Sequence, residues 1–286
     1  MNGGARVPDR VAVVLVPLDG SDDSARVLPV AARLARKLGA EIHLLSAVEE
    51  EGEAAARKEQ LAALRSPGLG GHRTVVVSAD PAGAIHEELR RLGPGAVVCM
   101  ASHGRGRSAA LVGSVATEVV HRGHDPAILV GPRPPVEHWR ATGLVVSVDE
   151  TPALAALLPV GAGWSHRLGE PLTVATVAEP VLEPLRPEKP VRRTFGPDEW
   201  DVHGFLDRLV QPLRDQGETV ETLPLFDPIS PAEGLEAHLV SHPAWLVVVS
   251  SHARTGPARL VLGSVAAAIV RRSPSPVLVV PRPDAR

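Results

Sequence analysis

Short unbroken apolar runs alternate with longer stretches whose apolar positions recur at helical spacing, and they do so along most of the chain. In the first half the runs predict strands over 11–18, 41–48, 73–78, 96–100 and 127–130. Between them, Val27, Val30, Ala31, Leu34, Ala35 and Leu38 fall on one face of a helix spanning 22–38, which Gly39 ends. Further helices are expected over 50–64, 81–92 and 114–122, the second of these with Asp80 as N-cap and Pro81 at its first position. The second half repeats the order, with strands over 144–148, 172–177, 219–223, 245–249 and 277–280. Strands that lack an in/out alternation are buried on both faces. Strands and helices that alternate give an α/β fold: a parallel sheet with helices on both faces.

The two halves also repeat in detail. "VAVVLVPLD" ending at Asp19 is echoed by "GLVVSVD" ending at Asp149, and Val112–Ala116 is echoed by Leu262–Ala266. The second pair lies about twenty residues further apart than the first, so the second half carries an insertion, which the Pro-rich, charged stretch 180–198 accommodates as a loop. Domain boundaries follow at 9–133 and 142–282, joined by a semi-rigid connector containing Pro132, Pro134 and Pro135.

Charge and composition exclude more than they identify. The net charge is −3, and the chain has no Tyr, three Phe and four Trp. Neither a phosphate-tracking surface nor a base-stacking platform can be built from that, so no nucleic-acid partner is expected. No apolar run approaches the length of a membrane span and the N-terminal residues are polar, so the expectation is a cytoplasmic protein without membrane contact. Cys99, the single cysteine, sits in an apolar run and reads as a buried strand residue.

In a parallel sheet of this kind ligands collect at the carboxyl ends of the strands, where strand order reverses. Three segments of each half reach that place. Asp19 and Asp149 end the first strands, where a carboxylate can accept from an adenine amine or a ribose hydroxyl; equally, each can be a turn or capping aspartate. Ala47 and Val177 lie at the ends of the second strands and can flank a base or simply pack in the core. Strand four then runs into Ala101-Ser102-His103-Gly104-Arg105 and on to Gly113-Ser114 at a helix start. Backbone N–H groups of a glycine loop backed by a helix N-terminus form an anion site, Ser114 can cap the helix and reach a phosphate, and Arg105 can neutralise charge. Ser250, Ala253, Gly263 and Ser264 are the counterparts in the second half. His103 and His252 lack further ligands nearby in sequence and read as loop-shaping residues, not as metal or catalytic groups.

The segments "VPLDGS", "GAEIHLLSAVE", "VVCMASHGRGRS", "VGSVATEVVHRGHDPAILVGPR" and "VVVSSHARTGPARLVLGSVAAAIVRRSPSPVLVVP" resemble those of universal stress proteins, so the chain looks like a tandem of two such domains. The resemblance implies two Rossmann-like domains of the adenine-nucleotide alpha-hydrolase-like kind, each with a five-stranded sheet. It also implies pairing through the last strand and, in one subclass, ATP or AMP bound with Mg. That subclass has the pattern Gly-x2-Gly-x9-Gly-Ser/Thr. Here Ala101 replaces the first glycine, and eight residues, not nine, separate Gly104 from Gly113; Ser250 and Ala253 replace the first two glycines of the second half.

The function expected is therefore a stress-response regulator that binds an adenine nucleotide and is at most a slow ATPase. The alternative is a dimeric scaffold with degenerate phosphate loops. The loop motifs that adenylating synthetases and ATP pyrophosphatases on this fold require are missing from the sequence. The two last strands, 127–130 and 277–280, are expected to cover each other within one chain, and two chains can still pair further as a homodimer.

Overall fold

The computed structural model describes residues 9–65, 72–103, 112–123, 125–133, 141–149, 156–178, 201–227, 229–251 and 262–281. The expected insertion at 180–198, most of the connector, and Gly104, Arg105, His252 and Ala253 lie outside them.

The first half runs β1 (Val13–Pro17), α1 (Asp22–Ala25), α2 (Leu28–Leu38), β2 (Glu41–Val48), α3 (Glu51–Ala63), β3 (Arg73–Val77), α4 (Pro81–Leu92), β4 (Ala96–Ala101), α5 (Ser114–Arg122) and β5 (Ala127–Val130). The second runs β6 (Leu144–Val148), α6 (Leu157–Leu168), β7 (Leu172–Ala178), α7 (Val202–Asp215), β8 (Val220–Phe226), α8 (Pro231–Ser241), β9 (Leu246–Ser250), α9 (Ser264–Arg272) and β10 (Val277–Val280). Two expectations need correction. The single helix over 22–38 is two, because Pro29 has no N–H to continue the ladder and instead starts α2 within its first turn. Strand 219–223 is β8, and it continues through Pro224 to Phe226; a proline is tolerated there because β8 is an edge strand, paired on one side to β7.

All ten strands form one sheet, in the order β3-β2-β1-β4-β5-β10-β9-β6-β7-β8. Within each half the pairs are parallel, and β5 meets β10 antiparallel, with Leu129 opposite Val277 and Ala127 opposite Val279. One face of the sheet is covered by α2, α3, α6 and α7, with Leu34, Leu61, Trp164 and Leu206 in its core. The other carries α4, α5, α8 and α9, with Ile85, Val119, Leu235 and Ile269. Strands buried on both faces explain why their sequences read as continuous apolar runs.

Polar contacts join the halves on both faces. Arg133 Nη1 meets Glu236 Oε1 at 2.7 Å. On the opposite face Lys37 Nζ lies 2.6 Å from Glu170 Oε1, and Gly143 N–H donates to Glu170 Oε2 at 3.0 Å. Lys37 and Arg33 also sit 5.4 and 5.6 Å from the centre of the Trp245 ring. Burial pushes the Glu170 carboxyl up, but Lys37, the Gly143 amide and Trp245 together hold it below its ordinary value. A carboxyl held low by the fold adds stability that is complete above its unfolded pKa and is lost as pH falls through its folded one. Wild-type protein is therefore expected to lose more stability than Glu170→Gln between about pH 5 and pH 3, read as the difference in melting temperature across that window.

Candidate functional site

Strand order reverses between β1 and β4, so their carboxyl ends diverge and leave a crevice. A cavity of about 440 Å³ lies there. Its walls come from four places: Leu18 and Asp19 after β1, Ala47 and Glu49 around the end of β2, Ala101, Ser102 and His103 at the end of β4, and Gly113 and Ser114 at the start of α5. Ile85 and Met100 supply apolar floor. The volume falls in the range of small-molecule sites.

Each wall has a local cause. The Asp19 carboxylate accepts from the Ser21 N–H at 2.9 Å and from the Ser21 hydroxyl at 2.6 Å, closing a turn around Gly20, whose φ of +80° suits glycine. Ser21 in turn caps α1 by accepting from Ser24 N–H at 3.1 Å. Asp19 thus serves as turn former while lining the cavity. Behind it, the Ser46 hydroxyl donates to the Leu18 carbonyl at 2.6 Å. On the other wall Ser102 is held at both ends of its backbone, by Val130 O at 2.8 Å and by Gly113 N at 2.7 Å. Its hydroxyl lies 2.7 Å from His103 Nδ1, which fixes the ring's orientation. A Cβ on Gly113 would stand 3.1 Å from Ser102 O, so the close approach of α5 to the end of β4 favours glycine.

Ser114 corrects one expectation. Gly113 is the N-cap of α5, and Ser114 is the first helical residue, exposed, without a capping hydrogen bond from its side chain. The hydroxyl stands at the mouth of the helix N-terminus, where backbone N–H groups and the helix dipole favour an anion.

Of the first-half residues selected from sequence, Asp19, Ala47, Ala101, Gly113 and Ser114 come together on this cavity; Gly104 and Arg105 lie outside the described residues. In the second half, Asp149 follows β6, Ser250 ends β9, Gly263 caps α9 and Ser264 begins it. Thr176 repeats the Ser46 device, donating to Val148 O at 2.9 Å. Val177 is 7% exposed and packs against α8, where its Cγ1 is 2.9 Å from the position a Cβ on Gly234 would take. It is a core residue, the second of the two readings its sequence allowed. Glu49, Ser24, Ser46 and His103 are neighbours that the choice of site residues passed over; the pairing of Ser46 with Thr176 in the repeated strands was the available signal. Among the described residues no group of three or more His, Cys, Asp or Glu side chains could hold a metal, and no helix is long and apolar enough to cross a membrane.

The sheet order, the two-faced helical cover and the crevice at the β1/β4 reversal define a duplicated Rossmann-like α/β protein. The universal stress protein family matches the chain twice, over residues 12–131 and 144–281, and the chain belongs to that family. Universal stress proteins of Mycobacterium tuberculosis and Mycobacterium bovis are each 28% identical over 190 residues, which is 64% of this chain and 58% of theirs. The match thus spans little more than half the length of those relatives. A universal stress protein from Archaeoglobus fulgidus superposes with a TM-score of 0.60 at 19% identity, covering 98% of this chain and all of its own. The cytoplasmic domain of a prokaryotic cation chloride cotransporter shares the fold as well, with a TM-score of 0.52 at 13% identity, covering 96% of this chain and 97% of its own.

Proposed function

We propose that the protein is a stress-response regulator whose first half binds an adenine nucleotide, ATP or AMP, in the β1/β4 crevice, with Mg accompanying the phosphates. One observation carries this reading. Five residues chosen from three separate segments of sequence line a single cavity of about 440 Å³. The base and ribose lie toward Asp19 and Ala47, and the phosphates toward Gly113, Ser114 and the start of α5. Turnover is no part of the proposal beyond slow ATP hydrolysis. The second half, with Asp149, Ser250, Ala253, Gly263 and Ser264, is a weaker site of the same kind, because its loop departs further from the family's glycine pattern and Val177 is withdrawn into the core. The domains proposed are 9–133 and 142–282, held together through β5 and β10.

Calorimetric titration of the full chain with Mg-ATP tests this, alongside Ser114→Asp. An aspartate at the first helical position complements the helix dipole, so the variant should melt no lower than wild type. The same charge opposes the phosphates, and affinity is expected to fall by at least about tenfold. A folded wild-type chain that gives no heat with millimolar nucleotide would overturn the proposal. The protein would then be a nucleotide-independent scaffold, a reading that the continuous sheet through the β5–β10 seam favours.

A further inference from the structure

A buried cation normally has a carboxylate partner or a full set of hydrogen bonds. Arg57, in α3, is only 9% exposed and has neither among the described residues. Its hydrogen bond among the described residues runs from Nη1 to the Ser46 hydroxyl at 2.9 Å, and no described carboxylate forms an ion pair with it. The rest of the guanidinium lies flat against Gly20: a Cβ there would stand 2.7 Å from Cζ, 2.8 Å from Nη1 and 3.0 Å from Nη2. Arg57 thus touches both supports of the Leu18–Gly20 turn. Through Ser46, which donates to Leu18 O at 2.6 Å, it braces the end of β1, and through its planar face it closes the back of the left-handed residue next to Asp19.

Among the described residues of the second half, no arginine bonds Thr176 as Arg57 bonds Ser46. Thr176 holds Val148 O at 2.9 Å, but the buried residues of α7 are Val202, Leu206, Val210 and Leu213, all apolar. A charged group therefore stands behind the turn of the first half, whereas the buried side chains of α7, the matching helix, are apolar.

We propose that Arg57 is a positioning residue of the first cleft. It does not itself line the cavity, and it holds Leu18, Asp19 and Gly20 in the setting a ligand requires before the ligand arrives. This rests on the nucleotide reading above and adds that the first cleft is preorganised by a buried charge behind its turn.

Two readouts test it on the full-length protein, with Arg57→Met, Arg57→Lys and Ser46→Ala. The first needs no ligand: amide hydrogen exchange of residues 18–24. Arg57→Met is expected to speed exchange there and leave the turn after β6 unchanged, while Arg57→Lys, which keeps a donor for Ser46, recovers most of the protection. Ser46→Ala severs the same link with a smaller change and should give the same local pattern if Arg57→Met folds poorly. The second is Mg-ATP affinity, expected to fall about tenfold in Arg57→Met and to return largely in Arg57→Lys, since hydrogen bonds to charged groups carry about that factor. Unchanged exchange over 18–24 in both Arg57→Met and Ser46→Ala overturns the brace. Faster exchange with unaltered ATP affinity overturns its role in binding. A wild-type chain that ignores ATP while these exchange effects persist overturns the nucleotide reading and leaves the brace standing.

Discussion

Trp164→Ala is expected to lower the unfolding free energy by about 3–5 kcal/mol. Trp164, in α6, is 1% exposed and is the bulkiest of the fully buried side chains among the described residues. It sits in the core shared by α2, α6 and α7, where the two halves come closest on that face. Its indole Nε1 is buried without a hydrogen-bond partner among the described residues, so truncation strands no partner and the loss is one of burial and cavity alone. Since a domain's whole stability is about 5–15 kcal/mol, the variant should sit near the edge of folding. Urea denaturation followed by far-ultraviolet circular dichroism measures the change. A loss below about 1 kcal/mol would mean that α6 does not pack on the sheet as described.

The second large effect is expected at Gly131, directly after β5. A Cβ there would lie 2.3 Å from the carbonyl oxygen of Val270 in α9, a backbone atom that cannot swing aside as a flexible side chain does. Gly131→Val should therefore push α9 away from the end of β5 and strain the seam between β5 and β10, at a cost of about 1–3 kcal/mol. The expected signature is separation: each half keeps its own parallel strands, while small-angle scattering reports a larger radius of gyration and melting broadens into two steps. A variant with unchanged scattering and one sharp transition would show that the seam absorbs the clash.

The legible parts of this fold were those with a local cause. Strands β1, β4, β6 and β9 are buried on both faces, so their sequences are largely apolar runs rich in Val. Gly39 takes the left-handed conformation expected of a helix-ending glycine, with φ +63°. The break between α1 and α2 was missed because the apolar spacing runs through it; Pro29 outweighs the pattern. In the site, Asp19, Ala47, Ala101, Gly113 and Ser114 could be chosen because repetition and strand ends mark them. Arg57 could not. It lies in a helix rich in Ala and Glu, and its burial depends on Ser46 and Gly20, which chain folding alone brings to it. Lys37, Glu170 and Trp245 were invisible for the same reason: their contacts cross between halves that the sequence describes separately.

The β5–β10 seam has a kinetic meaning as well as a structural one. Two separate chains joined by strands of this length would part on dilution. Here the partner strands are tethered to one another, at an effective concentration in the millimolar range for a short linker. A strand that peels away therefore meets its own partner again before it meets another molecule. The geometry between the two halves is thereby independent of how much of the protein a cell contains.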